Sequence, residues 1–336
     1  KGSACLIIAE VGQAHDGSLG IAHSYIDAVA EAGADGVKFQ THFVSEESTL
    51  EDEFRVHFTE QDKTRFDYWK RMEFFQNEWK GLIQHANKKG LIFLSSAFSM
   101  KAFKMLIDIG IPAVKIASGE VSNRQMLDSV IEEKLPVILS TGMSSWAEIE
   151  ESIKYLNKRN IPVIAMQCTS EYPTPLEHVG LNVLDELKMR PDIFVGLSDH
   201  SGTLYPSLTA IARGIDILEI HVTFDKRMFG PDTPASITID ELKFLVQYRD
   251  AVKKMDDNPV DKDKMAKRLS GMRKLFFKSL APARTLKKGT VITKEMLQLK
   301  KPGTGIKPDE INEIIGKRLN KDVTPDHLIK LEDFDE

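Results

Sequence analysis

Eight short, apolar, β-branched runs separated by stretches of helical spacing set the strongest limit on how this chain can fold. The runs are Leu6–Val11, Gly36–Gln40, Leu91–Ser95, Ala113–Ser118, Pro136–Thr141, Pro162–Cys168, Ile193–Asp199 and Ile217–Phe224. Helical patterns fill most of the gaps, at Ala22–Ala32, Asn77–Lys89, Lys101–Ile109, Trp146–Arg159 and Tyr205–Arg213. Neighbouring parallel strands need a long crossover, usually a helix. Eight such units in series therefore predict an α/β chain closed into a (β/α)8 TIM barrel. A doubly wound open sheet usually carries a glycine-rich phosphate loop after its first strand. Gly12-Gln13-Ala14-His15-Asp16-Gly17 is not such a loop, so the barrel is favoured.

Two regions break the beat. Residues 41–75 are rich in charge and aromatics (Phe54, Phe58, Phe66, Tyr68, Trp69) and follow the second strand. In a barrel that places them on the catalytic face, as a lid or substrate wall, or as a subunit contact. Past residue 255 the sequence becomes highly charged, with Asn258-Pro259 as a breaker, and 256–277 reads as a linker. Residues 278–336 then carry short strand-like pieces (Ser279–Ala281, Val291–Ile292, Leu297–Leu299, Leu328–Leu331) and form a small second domain after the barrel of 1–255.

Strand side chains alternate, so one parity faces the helices and the other the barrel axis. Ile7, Ala9 and Val11 share a parity opposite Glu10; Val37 and Phe39 oppose Lys38 and Gln40; Val114 and Ile116 oppose Lys115. Gly196, Ser198 and His200 fall on one parity, and Glu219, His221 and Thr223 on another opposite Leu218, Ile220 and Val222. Charged groups are seldom buried unless paired or functional. A structural ion pair of a lysine with Glu10 or Glu219 would explain one inward lysine. Two lysines, two histidines, at least two carboxylates and several hydroxyls at strand C-terminal ends instead predict a polar well on the catalytic face.

The residue types narrow the chemistry. Lys38 and Lys115 suit a multiply charged anion such as a carboxylate-phosphate. Ser96, Ser118, Ser140 and Ser198, each near a strand end, add hydroxyl donors. His200 and His221 close adjacent strands seven and eight, near enough to share a divalent metal in a site left open for Lewis-acid work. Glu10, Glu120 and Asp232 are candidates for acid–base work or for binding hydroxyls.

Composition adds exclusions. Balanced charge, 45 basic against 50 acidic residues, gives no sign of nucleic-acid or membrane-surface binding. Two cysteines, Cys5 and Cys168, make no disulfide framework. No apolar run reaches the ~18 residues of a membrane span, and no apolar signal core follows a basic start. The expectation is a reduced, cytoplasmic protein.

The motifs in combination resemble the sialic acid synthase family. They are Ile8-Ala9-Glu10-Val11-Gly12-Gln13 with His15 and Gly17, Gly33-Ala34-Asp35 before Val37-Lys38-Phe39-Gln40, and Lys115-Ile116-Ala117-Ser118-Gly119-Glu120. Leu139-Ser140-Thr141-Gly142-Met143, Cys168-Thr169 with Tyr172-Pro173, Gly196-Leu197-Ser198-Asp199-His200 and Glu219-Ile220-His221 complete the set in order. The tail, with Leu286-Lys287-Lys288-Gly289-Thr290 and Lys301-Pro302-Gly303-Thr304-Gly305, resembles that family's antifreeze-like SAF domain.

That resemblance implies condensation of phosphoenolpyruvate with an aldose such as N-acetylmannosamine, giving a nonulosonic acid and phosphate. Synthesis of legionaminic acid, pseudaminic acid or another polysaccharide precursor by the same chemistry is the alternative, and a non-catalytic carbohydrate-binding protein on the same fold is the reading from another class. By matching motifs, Lys38, Ser96, Lys115, Ser118, Ser140 and Ser198 would hold phosphoenolpyruvate, and His200 and His221 would bind Mn2+ or Mg2+. Glu10, Gln40, Tyr172 and Asp232 would contact the sugar or water on the metal, and Glu120 takes the position assigned a catalytic role. Where the family usually has Asn, this chain has Ala14 and Ser170. Where it has the arginine that reaches a neighbouring subunit's sugar in a domain-swapped homodimer, this chain has Lys301, without arginine's bidentate fork.

Overall fold

The computed structural model describes residues 4–56, 58 and 61–335; the outermost residues of both expected domains, 1–3 and 336, lie outside the described residues. Contacts divide the chain into two units, 1–257 and 258–336.

The first unit is a closed parallel barrel. Its strands are β1 (Leu6–Gly12), β2 (Gly36–Thr41), β3 (Ile92–Ala97), β4 (Val114–Ile116), β5 (Val137–Ser140), β6 (Val163–Gln167), β7 (Ile193–Asp199) and β8 (Ile217–Thr223). They pair in sequence order, and β1 also pairs with β8, which closes the ring. A two-residue β9 (Ile237–Thr238) pairs in parallel with the end of β8. The crossovers carry α1 (Leu19–Ala32), α2 (Val44–Glu47), α3 (Arg65–Met72), α4 (Gln76–Lys88), α5 (Met100–Ile109), α6 (Arg124–Glu133), α7 (Trp146–Asn157), α8 (Leu181–Lys188), α9 (Tyr205–Ala212) and α10 (Ile239–Asp256). Side-chain caps start several of them: Ser18 accepts from the Ile21 amide, and Ser145 and Thr238 form capping boxes with Glu148 and Glu241. Each such cap contributes about 1 kcal/mol.

Strand alternation sorts the core into two. Ile7, Ala9, Val37, Phe39, Val114, Ile116, Leu218 and Ile220 pack outward with the helices. Ile8, Leu94, Ile138, Met166 and Ile217 pack inside the ring as a separate apolar plug. Gly196 belongs to the inward parity, but a Cβ there would lie 2.5 Å from Ile217 Cγ2, so the plug leaves room only for glycine. The next inward residue on most strands is polar, which makes the plug the base of the site.

The fourth strand is shorter than the sequence suggests, because Ser118–Glu120 turns into a 3-10 helix. Residues 256–277, read as a linker, hold two helices, α11 (Lys262–Arg268) and α12 (Ser270–Phe276), the first capped by Asp261. In the second unit, β10 (Ser279–Pro282) and β11 (Leu297–Lys300) form an antiparallel pair over a core that includes Leu280, Ile306, Leu319 and Ile329. Val291 makes only an isolated bridge, with Arg318. Leu328–Leu331 is not a strand: the Ile329 amide donates to Leu280 and its carbonyl accepts from Ile306, contacts that do not extend into a ladder.

Candidate active site

A cavity of about 540 Å3 opens at the C-terminal ends of the strands. The backbone prepares it at Gly12, where β1 shifts register against β2 and φ is +54°. That left-handed backbone is what favours glycine, and Gln40, His221 and Glu10 converge around it, 3.4–3.6 Å from where a Cβ would stand.

Above the apolar plug lies a row of buried charges. Lys38 Nζ is 2.7 Å from Glu10 Oε2 and 3.6 Å from Glu219 Oε1, and donates to Ser96 Oγ at 3.1 Å. Lys115 Nζ donates to Glu219 Oε2 at 2.5 Å. Ser198 Oγ donates to Glu219 Oε1 at 3.2 Å. Glu219 thus bridges the two lysines. Burial opposes its charge, yet Lys115 and then Lys38 outweigh it and hold the carboxyl below its ordinary range. Burial likewise opposes the Lys38 ammonium, but Glu10 and Glu219 carry its pKa upward, whereas burial and Lys38 leave Lys115 lowered. The two inward lysines are therefore balanced by two carboxylates. The structural ion pair and the polar well are the same feature.

The histidines stand beside this row. His200 and His221 lie with ring centroids 5.5 Å apart, and Tyr172 stacks on His200 at 4.2 Å. His200 Nδ1 meets the Thr169 carbonyl at 2.8 Å, and that carbonyl only accepts, so Nδ1 carries the proton and Nε2 keeps its lone pair. Burial first, then His221, pushes the His200 pKa down to about 3, so the ring is neutral. A neutral imidazole whose Nε2 keeps its lone pair, 3.1 Å from Ser198 Oγ and 3.3 Å from the Tyr172 hydroxyl, with another imidazole beside it, suits a divalent cation with open positions. Among the described residues no group of three or more His, Cys, Asp or Glu is arranged to hold a metal ion, so such an ion would take its remaining ligands from water or substrate.

Of the residues singled out in the sequence, Glu10, Lys38, Gln40, Ser96, Lys115 and Ser118 line the cavity, as do Glu120, Ser140, Ser170, Tyr172, Ser198, His200, His221 and Asp232. Glu120 is half-buried on the turn after β4 and accepts from Asn123 Nδ2 at 2.5 Å. Ser118 Oγ accepts from the Gly142 amide at 3.2 Å. Lys301 belongs to the second unit, where its ammonium lies 5.0 Å from the Phe276 ring centroid.

Other lining residues escaped the sequence reading of the site. Glu219 was legible only as an ion-pair partner, although it shares the inward parity of His221. His42 continues the inward parity of Lys38 and Gln40. Residues 41–75 supply the outer wall, including Phe54, Arg55, Phe58, Arg65 and Trp69. Arg55 pairs with Asp232 at 2.9 Å and lies 4.4 Å over the Tyr172 ring. No periodicity in the sequence marks that arginine.

The barrel matches the model of the NeuB family over residues 25–261, most of the chain, and residues 277–335 match the SAF domain. The chain belongs to the NeuB family. An N,N'-diacetyllegionaminic acid synthase of Legionella pneumophila is 36% identical, covering 95% of this chain and 92% of that protein. One of Campylobacter jejuni is 34% identical, covering 97% and 98%. Among solved structures, an N-acetylneuraminic acid synthetase of Leptospira borgpetersenii in complex with citrate superposes with a TM-score of 0.70 at 30% identity, covering 81% of this chain and 92% of that one. As a NeuB-family member the chain is a phosphoenolpyruvate-condensing synthase of nonulosonic acids, a class whose members generally use a divalent metal. Among the described residues no helix is long and apolar enough to cross a membrane.

Proposed function

We propose that this chain condenses phosphoenolpyruvate with an N-acetylmannosamine-type aldose, releases phosphate by C–O cleavage, and does so on the floor and wall of the barrel cavity. The observation that carries this is the buried row Glu10–Lys38–Glu219–Lys115 beside His200 and His221. Lys38 and Lys115 hold the substrate's phosphate and carboxylate, with hydroxyls from Ser96, Ser118, Ser140 and Ser198. Fixed ammonium groups in a water-poor site stabilise the anion throughout.

The enol carbon C3 attacks the aldehyde carbon of the open-chain sugar, forming a C–C bond and leaving positive charge at C2. Water adds to C2 and loses a proton, and the tetrahedral intermediate breaks its C–O bond to expel phosphate. Glu120 exchanges a proton with the aldehyde oxygen or with the water. Tyr172, Asp232, Gln40, Glu10 and Ser170 orient the sugar. Mn2+ or Mg2+ on His200 and His221 would polarise the aldehyde oxygen.

The legionaminic acid relatives support 2,4-diacetamido hexoses as the alternative acceptors. Lys301 of a domain-swapped partner subunit serves the sugar end in this reading, and sedimentation of a fully active monomer would remove that part of it. The main test is phosphate release from phosphoenolpyruvate by purified protein with Mn2+, across 2-acetamido and 2,4-diacetamido hexoses, with the product weighed by mass spectrometry. One accepted hexose giving the condensed acid is expected; no phosphate with any hexose would refute the proposal.

A further inference from the structure

A hydrogen-bonded chain runs from the outer wall of the cavity to its floor. His42 is buried, stacked between Trp69 at 4.1 Å and Phe98 at 4.5 Å. Its Nδ1 lies 2.8 Å from Glu47 Oε1 and its Nε2 lies 2.9 Å from Gln13 Nε2. Gln13 Nε2 also donates to Gln40 Oε1 at 2.5 Å, and Gln40 Nε2 donates to Glu10 Oε1 at 2.9 Å. The other oxygen of Glu10 faces Lys38 at 2.7 Å.

The direction of every link follows from its ends. An ionised carboxylate only accepts, so Gln40 must turn its amide nitrogen to Glu10 and its oxygen to Gln13. Gln13 must then present its nitrogen, and the same nitrogen meets His42. His42 Nε2 is thereby an acceptor, its proton sits on Nδ1, and that proton points at the second carboxylate, Glu47. The two donors of the Gln13 amide send the chain both ways, and no link can reverse alone. Turning Gln40 would set its oxygen against Glu10 Oε1, and turning Gln13 would set its oxygen against Gln40 Oε1.

We infer that Gln13 and His42 are positioning residues for the reaction: they lock the Gln40 amide and, through it, hold the Glu10 carboxylate between Gln40 and Lys38. The inference rests on the cavity being the site of condensation. The links from Glu47 Oε1 through His42, Gln13 and Gln40 to Glu10 Oε1 are all made, and in a buried polar chain the loss of one member releases its neighbours.

The test joins a readout of the relay with one of turnover. In the full-length protein, imidazole 15N shifts of His42 should show a protonated Nδ1 and a bare Nε2; a proton on Nε2 overturns the relay without any assay. His42→Phe keeps the stack between Trp69 and Phe98 but removes both nitrogens, and Gln13→Met keeps the chain length without the amide. Each should lower kcat about tenfold with KM for phosphoenolpyruvate nearly unchanged. Each should add nothing further on a Gln40→Met background, because residues acting through one another are not additive. A His42 that merely holds the wall would lower Tm, leave kcat intact and add to Gln40→Met, which overturns the proposal. If His42→Phe fails to fold, Gln13→Met carries the same comparison. Wild-type protein that consumes no phosphoenolpyruvate would refute the functional reading, while the His42 shifts still decide the relay.

Discussion

The floor and the outer wall of the cavity both pair acids with bases, but they hold them differently. On the floor, Lys38, Lys115, Glu10 and Glu219 sit on strands, all 5% exposed or less, with Glu219 bridging two ammonium groups. On the wall, the Arg55–Asp232 pair has side chains 43% and 19% exposed, and Arg65–Asp52 is about one-third exposed on both sides. Exposed pairs of this kind contribute about 0–1 kcal/mol, whereas removing one member of a buried set costs about 3–5 kcal/mol. In the proposed function the floor would be a fixed mould for the phosphoenolpyruvate anion, and the wall, whose ion pairs cost little to rearrange, would meet the sugar.

The largest expected break in this contrast is Glu219→Gln, which leaves Lys38 and Lys115 facing each other without their shared carboxylate. Denaturant unfolding should show a loss of about 3–5 kcal/mol; a loss under about 1 kcal/mol would mean that the floor is no tighter than the wall. The sign with pH follows from the lowered pKa of Glu219. Its contribution is present above the ordinary carboxylate value and disappears as pH falls through the depressed folded value.

Next comes His200→Ala at the floor's edge. Phosphate release should drop about 100-fold or more while Tm stays within a few degrees, since the ring serves the reaction rather than the barrel. A fully active variant would exclude ligation there.

The smallest effect belongs to the wall. Arg55→Ala removes a cation over Tyr172 and the partner of Asp232, together worth about 1–2 kcal/mol. The acceptor's KM should rise about five- to thirtyfold with KM for phosphoenolpyruvate unchanged. A rise in both would erase the division of labour between floor and wall.

The same contrast governs what could be read without coordinates. The barrel and its floor follow from two periodicities, because burial on one parity forces apolar residues there and makes an inward lysine conspicuous. An ion pair of one lysine with Glu10 or Glu219 could be anticipated, but not that Glu219 bridges both lysines, since parity tells which way a side chain faces but not which neighbours it meets. Arg55 and Asp232 are 177 positions apart on irregular segments, where no repeat constrains direction. Helix α11 was hidden by its own charge, since a stretch dominated by lysine, arginine and aspartate reads as a linker when no apolar stripe marks a face, and α12 is only seven residues long, too short for its apolar residues to set a period. His42 could have been found by carrying the β2 parity two residues further.

In the proposed reaction, carbon–carbon bond formation is followed by loss of phosphate from C2. Phosphoenolpyruvate carrying 18O in its C–O–P bridge tests this directly, in a reaction with Mn2+ and the accepted hexose. The label is expected in the released phosphate, with none of it in the sugar acid. Label retained in the sugar acid would mean P–O cleavage and would contradict the proposed reaction.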